Sequence, residues 1–465
     1  MSDNIISYHT FMLPLTFEGK FDKKANWKYQ AFEIEENRDY NEFIYFYKHV
    51  QDALFNNKDD KNPISRYFEY MEQEGTYTIE CMEKNYTLKV DGISLRIFNT
   101  DVAILSFNLI NTQYKDPKDI LAINEFGRRI YPQFLGEKDI KDTKQAFLAK
   151  SITLSLVGEK KIKECFYPFY SLKNLDEKLL PSFVTRLINQ NFEMKSLRPI
   201  IDDRMFVISQ YNSDRLVKKL QKYKNNNYIY ETDSFWYKYI FIDGKEKTCQ
   251  HRAMTKDFIA KSTYGRWVEW GTLFGMSRYS FVALTGSWFG KERLLPHMQT
   301  IYFQIFTLLL AYRASIISFS DEIQNITSQK DEELVKNAQT LYRKYLNFLN
   351  KLYFKEVTAQ DQGIELYNQA MEVMEIPKYM KDLDNEINEL HSYVRMIEEQ
   401  KTAQKMNQLT MLGGFLLPAS LVTGFLGMNT LGDWVFTNGW NSFFLVVASA
   451  SILPVYFKFF KKGES

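Results

Sequence analysis

Residues 409–427 read LTMLGGFLLPASLVTGFLG, a run with no charged side chain. As a helix rising 1.5 Å per residue, this run is long enough to cross the roughly 30 Å hydrocarbon core of a bilayer. Residues 440–457 form a second charge-free run, and Asp433 is the only charged residue between them. Lysines flank the two runs on the outer sides, namely Lys401, Lys405, Lys458, Lys461 and Lys462. The positive-inside rule therefore predicts two membrane spans with both termini in the cytoplasm.

The first 408 residues have a different character from this membrane segment. The whole chain has 465 residues, 25% charged residues and a mean hydropathy of −0.36, which is typical of a soluble protein. Its net charge of +2 gives no basic field, so we expect no direct binding of DNA or RNA. Three widely spaced cysteines, Cys81, Cys165 and Cys249, fit a reducing compartment. We therefore expect a large cytoplasmic body attached to a small membrane segment.

Residues 1–295 are predicted to form the main part of this body, a cytosolic regulatory domain with mixed secondary structure. Alternating or β-branched patterns predict strands at 77–79, 86–90, 93–98, 102–109 and 152–157, with Asp91-Gly92 as a hairpin turn. Residues 216–223 are predicted to be helical, and the aromatic stretch 228–242 to be a strand. The expected fold class is α+β, with a large α/β domain built around a central sheet.

Helices are predicted from residue 296 to the membrane. The region 296–376 contains helical patterns at 301–319, 331–353 and 364–374, of which the first is apolar but includes Gln304 and Arg313. An arginine in the middle of a lone span is costly, so we assign 301–319 to the interior of the body. Residues 377–408 are predicted to be a stalk helix that continues without a break into the span 409–428. Its apolar seam follows 3-4 spacing, at Met380, Leu383, Ile387, Leu390, Val394 and Ile397.

The end of the first span carries the most specific motif in the chain. A proline within the run, Pro418, is followed by Gly424 and by Gly427-Met428-Asn429, and a second span with a lysine-rich tail comes after them. This arrangement resembles the CorA family of divalent-cation channels. The resemblance implies a homopentameric, funnel-like channel in the inner membrane, gated by its cytosolic domain, with Mg²⁺ as the expected ion. It implies no enzyme activity and no covalently bound cofactor.

The same resemblance assigns roles to individual residues. Gly427, Met428 and Asn429 would form the selectivity motif, with the Asn429 amide oxygens holding a hydrated ion. One helix face would line the pore, namely Met406, Leu409, Gly413, Leu417, Ser420 and Gly424. Helix packing and a simple helix cap are the alternatives for these positions. The loop 429–439 lacks the glutamate that the family commonly places after the motif and offers only Asp433, which weakens the case for Mg²⁺ selectivity.

Two blocks in the body combine arginine with aromatic residues. EFGRRIYP at 125–132 and YGRWVEWGTLFGMSRY at 264–279 contain Arg128, Arg129, Arg266 and Arg278, which are suited to an anionic ligand, and Trp267, which is suited to stacking. Ordinary packing is the alternative. The blocks also resemble a divergent CorA group linked to type III CRISPR defence, which implies a nucleotide second messenger, either a cyclic oligoadenylate or an adenylated S-adenosylmethionine. A membrane effector of antiviral defence and a non-conducting membrane-anchored scaffold are thus alternative functions.

Overall fold

The computed structural model describes residues 5–19, 26–55, 63–81, 83–131, 148–166, 180–189 and 197–427. The chain divides into two compact units. The first comprises Met1–Ser328 with Gln339–Ile387, and the second comprises Gln329–Ala338 with Asn388–Ser465. A large sheet and long helices make up the described residues, so the predicted α+β class is confirmed.

The secondary structure follows this order along the chain. Strands run over Ser7–Thr16 (β1), Trp27–Tyr29 (β2), Ser65–Tyr70 (β3), Gly75–Glu80 (β4), Asn85–Phe98 (β5), Val102–Asn111 (β6), Ser151–Leu156 (β7), Ile162–Cys165 (β8), Arg198–Pro199 (β9), Phe206–Asn212 (β10), Tyr223–Lys224 (β11), Asn227–Tyr228 (β12), Thr263–Tyr264 (β13), Leu273–Ser277 (β14) and Ser280–Thr285 (β15). Helices run over Asn37–Tyr45 (α1), Lys48–Leu54 (α2), Pro117–Gly127 (α3), Ser182–Asn189 (α4), Asp214–Leu220 (α5), Ser234–Phe241 (α6), Arg252–Ser262 (α7), Ser287–Phe289 (α8), Leu295–Gln299 (α9), Ile301–Thr327 (α10), Asp331–Lys351 (α11), Asp361–Val373 (α12) and Ile376–Gly427 (α13).

One mixed sheet organises the first unit. Its strand order is β13-β14-β15-β10-β1-β6-β5-β4-β7-β8, while β3 pairs with the second half of β5, β2 pairs with β3, and β9 pairs with the end of β1. The described pairings are antiparallel except that β10 and β15 run parallel. All ten residues of the central strand β1 are buried, because helices cover both faces of the sheet.

The two faces are covered by different helices. On one face, Phe306 of α10 stacks on Phe281 with ring centroids 4.3 Å apart and on Phe206 at 5.6 Å. On the other face, Gly127 at the end of α3 lies against Phe11 and Ile79. Phe206 pairs across the strands with Met12, the neighbour of Phe11, so these contacts lie on opposite faces. The sheet is therefore the middle layer of three.

Two local predictions are wrong. Residues 85–98 form the single strand β5 rather than a hairpin, and Asp91-Gly92 forms a bulge where the pairing with β6 shifts between Val90 and Gly92. Residues 228–242 are largely helical, with a 3-10 turn at Ile229–Thr232 followed by α6. Asp233 caps α6 by accepting hydrogen bonds from the backbone N–H groups of Phe235 and Trp236, which gives the aromatic stretch a helical start.

Helix α10 is a buried element of the first unit, as predicted from its polar residues. Gln304 accepts a hydrogen bond from Arg96 and donates one to Glu42, and Arg313 donates to the backbone oxygen of Arg278 at 2.7 Å. Where side chains are described, the stretch Ser287–Thr327 is the one helical segment apolar and long enough to span a membrane, and 89% of its most apolar window is buried in the protein. Its polar groups therefore have protein partners.

Helix α13 is the longest element, with 52 residues from Ile376 to Gly427. At 1.5 Å per residue it is about 78 Å long. The helix runs without a break from the predicted stalk to residue 427 of the first apolar run. The six seam residues from Met380 to Ile397 are buried within a single chain, at 6% exposure or less. The seam is therefore filled by the chain's own residues.

Candidate functional site

The apolar run that follows the seam on α13 has exposed side chains. Its described leucines are largely exposed, from 58% at Leu412 to 66% at Leu416. A continuous leucine surface of this kind is unfavourable in water, because each exposed apolar side chain forgoes the free energy of burial. The run therefore requires an apolar environment or other chains around it.

The predicted pore face lies partly within the described residues. Met406, Leu409, Leu417 and Ser420 are exposed and Gly413 is half-buried, and these positions share one side of the helix. The backbone of Gly424 and Gly427 is part of helix α13. Other predicted residues lie outside the described part of the chain, namely Met428, Asn429, Asp433, Lys458, Lys461 and Lys462. The geometry of the selectivity motif therefore stays a prediction.

Arg128 and Arg129 lie in a buried charge cluster at the end of α3. Arg129 forms an ion pair with Asp203 at 3.7 Å, and Arg204 binds Asp202 with its Nε at 2.7 Å. Backbone pairing holds the two segments together, because the N–H of Met205 donates to the oxygen of Arg128 at 2.7 Å. Burial, together with the neighbouring arginines, lowers the pKa of Arg128 to about 9.

The Arg128 guanidinium is incompletely satisfied. Its side chain is almost fully buried, and within the described chain its Nε and Nη1 have no hydrogen-bond partner. A buried N–H without an acceptor costs about 1–3 kcal/mol, and more when the group is charged. Arg128 would therefore gain from an anionic or polar partner.

Arg266 and Arg278 lie elsewhere, against α12 and the start of α13. Arg266 binds the Glu365 carboxylate at 2.5 Å, and the Tyr264 hydroxyl donates to the same carboxylate at 2.6 Å. Arg278 forms an ion pair with Glu375 and donates to the Tyr379 hydroxyl at 2.6 Å. The two arginines therefore hold the segment that leads into the long helix. We call the residues from Glu375 to Tyr379 the joint.

The joint has an unusual backbone. Glu375 adopts φ 55°, the left-handed conformation that glycine prefers at the end of a helix. It follows α12, and its N–H donates to the oxygen of Glu372 at 3.0 Å. Glu375 therefore combines a sterically costly position with a carboxylate that binds Arg278.

An open groove of about 1150 Å³ lies beside the joint. It is bounded by α7, the turn between β14 and β15, α12 and the first residues of α13. Its charged lining comprises Lys261, Arg278, Lys355, Lys378, Glu372 and Glu375. We call this the joint groove.

Two further arginines, Arg204 and Arg313, lie close to the ring of Tyr279. The guanidinium of Arg204 lies 4.7 Å from the centre of the Tyr279 ring, and that of Arg313 lies 5.2 Å away. The sequence predictions missed Arg204 and the acidic partners Glu365 and Glu375, and they gave Arg313 no role beside Tyr279. Only the density of arginines near Tyr279 hinted at this arrangement, because the acidic partners lie about a hundred residues away in the chain.

Two further expectations concern stacking and metals. Trp267 is 37% exposed and the guanidinium of Arg266 lies 5.7 Å from the centre of its ring, so part of this ring is already occupied by a cation. In the part of the chain that the structure describes, no three His, Cys, Asp or Glu side chains come together as a metal site. Asn429, the predicted ligand of a hydrated ion, is outside that part.

Comparison with known proteins gives one family. Residues 298–462 match the family model described as CorA-like Mg²⁺ transporter protein. Searches of curated proteins and of solved structures found no significant match. The matched region runs from the start of the helical region through both apolar runs, and it contains α13. Members of this family are membrane transporters and channels for divalent cations, not enzymes. Residues 298–462 are therefore similar to the family described as CorA-like Mg²⁺ transporter protein and form a CorA-like domain of this chain.

Proposed function

We propose that this chain forms a homopentameric channel for divalent cations, with Mg²⁺ as the principal ion, in the inner membrane. Residues 409–428 and 440–457 form its two spans, and both termini lie in the cytoplasm. The observation that carries the proposal is the course of α13. This single helix begins beside the sheet domain at Ile376 and presents an exposed leucine run near its other end. Such a run, within the region that matches the family, is suited to a pore that five chains share.

The pore residues act on the ion through neutral groups. Mg²⁺ releases its waters reluctantly, so a ring of Asn429 amide oxygens would bind the hydrated ion without trapping it. Below this ring, Leu417, Leu409 and Met406 would form apolar constrictions that close by excluding water. Asp433 would be the extracytoplasmic carboxylate nearest the mouth in sequence. In this mechanism no residue of the pore face carries a charge, so ions are selected by size and hydration.

The body would control the pore through the joint. Arg266 and Arg278 hold α12 and the first turn of α13 with charged hydrogen bonds. Because α13 continues to Gly427 without a break, a change at Ile376 would reach the apolar run along a single helix. The proposed channel is therefore opened and closed by rearrangement around these ion pairs.

Ion flux in proteoliposomes tests the proposal. Wild-type protein should give Mg²⁺ uptake that a vesicle-trapped indicator dye reports. Asn429→Ala should reduce the rate about tenfold or more, because a site's charge-dipole contacts with an ion are worth over 1 kcal/mol. Asn441→Ala is the matched control, since Asn441 is an asparagine of the second run. Equal rates for wild type and both variants would contradict the assignment of Asn429.

The same vesicles test the alternative functions. Within the described residues the buried Arg128 guanidinium has no partners for Nε and Nη1, which favours an anionic or polar ligand there. Flux that appears only with a cyclic oligoadenylate or an adenylated S-adenosylmethionine would identify a nucleotide-opened effector of antiviral defence. Absence of flux under every condition would instead favour a membrane-anchored scaffold.

A further inference from the structure

The joint groove has an excess of positive charge. Four of its side chains are cationic, namely Lys261, Arg278, Lys355 and Lys378, against the two carboxylates of Glu372 and Glu375. Only Arg278 is neutralised, by Glu375. Within the described residues the three lysines have no ion-pair partner. Unpaired lysines around one concave surface favour an anion there.

The groove also offers apolar surface. Phe241 and Phe258 line one side, with ring centroids 6.0 Å apart, and Tyr279 lines another. Its volume of about 1150 Å³ is ample for a molecule of nucleotide size. A ligand that combined phosphate groups with a flat apolar part would satisfy both kinds of wall.

Arg278 is positioned to exchange partners in this groove. Its side chain is 38% exposed, and it holds Glu375 and the Tyr379 hydroxyl. A phosphate group carries more charge than a carboxylate and accepts the two parallel N–H groups of a guanidinium. A phosphate that entered the groove would therefore compete with Glu375 for Arg278. Release of Glu375 would free the joint at the residue that precedes α13.

We propose that the joint groove binds a small organic phosphate, which takes Arg278 from Glu375 and so loosens the start of the long helix. The effect of the phosphate on gating rests on the proposed channel function. Its binding to the groove can be measured without any ion flux.

Binding to the full-length protein in detergent tests the groove directly. Isothermal calorimetry without divalent cations would use ATP as the phosphate with a flat ring and pyrophosphate as the phosphate without one. ATP should bind, and Arg278→Gln should weaken its binding about tenfold, the typical loss for a charged hydrogen bond. Pyrophosphate should bind more weakly than ATP, because it cannot contact the aromatic wall.

Two further variants separate ligand binding from structural damage. Glu375→Gln should tighten ATP binding about threefold, because it removes the competing carboxylate while the neutral side chain remains. Arg198→Gln breaks an exposed ion pair with Asp321 outside the groove and should leave binding within about twofold. Loss of binding that is equal for Arg198→Gln and Arg278→Gln would overturn the proposal. So would the absence of wild-type binding for both probes, even if Mg²⁺ flux is normal.

Discussion

Glu375 makes a quantitative prediction, because its backbone and its side chain act in opposite directions. A residue with a Cβ in the left-handed conformation costs about 1–2 kcal/mol relative to glycine. The ion pair with Arg278 joins side chains that are 38% and 41% exposed, so solvent screening limits its value to about 0.5–1 kcal/mol. Glu375→Gly removes both effects, and the first unit should become more stable by up to about 1.5 kcal/mol. Glu375→Ala removes only the ion pair and should be less stable than wild type.

The difference between these variants is measurable by calorimetry of the full chain in detergent. A unit of nearly 400 residues has an unfolding entropy of about 0.8 kcal/mol per kelvin, so 1 kcal/mol shifts its Tm by about 1 °C. We expect Glu375→Gly to melt about 1–2 °C above Glu375→Ala and at or above wild type. Both variants lose the carboxylate, so their difference reports the backbone alone.

One result would refute this reasoning. If Glu375→Gly and Glu375→Ala melt at the same lower temperature, the left-handed backbone costs nothing and the carboxylate accounts for the whole effect. A stabilised Glu375→Gly variant with altered ion flux would instead show that glutamate is present at the joint for function at the expense of stability.

Three further predictions concern the first unit. Burial raises the pKa of Glu42 from 4.5 to about 7, so between these pH values the folded state binds more protons than the unfolded state. As the pH rises from 5 to 8, wild type should therefore lose about 2–3 kcal/mol of folding stability relative to Glu42→Gln, and the Tm values of the two proteins should diverge. Burial lowers the pKa of His9 to about 4, so stability should fall as pH drops from 6.5 towards 4, and His9→Gln should flatten the Tm profile in that range. Gly127→Ala would place its Cβ 2.7 Å from the Phe11 ring and should lower stability by about 1–3 kcal/mol, whereas Gly92→Ala meets its nearest atom at 3.7 Å and should be almost neutral in the same thermal assay.

The sequence predicts the long elements well because their patterns repeat. Four turns or more of consistent spacing identify α10 and α13, and the polar residues Gln304 and Arg313 place α10 inside the body. Short signals are ambiguous: Asp91-Gly92 is typical of a hairpin, but here it lies in a bulge of one continuous strand. The aromatic residues at 228–242 suit either a strand or a buried helix, and the cap at Asp233 decides between them.

The joint could not be predicted for a different reason. Arg266 and Arg278 stand out in the sequence, but their partners Glu365 and Glu375 are ordinary glutamates in a charged helical region. Only the three-dimensional structure brings these pairs together across about a hundred residues. The left-handed conformation of Glu375 could not be predicted either. Glycine usually marks this conformation at the end of a helix, and here the position is a glutamate.

The length of α13 has a mechanical consequence. Over about 78 Å, a tilt of one degree about Ile376 displaces the far end of the helix sideways by roughly 1.4 Å, close to the rise of one helical residue. Leverage of this size means that a rearrangement too small to alter the sheet could still change the spacing of side chains at Leu417.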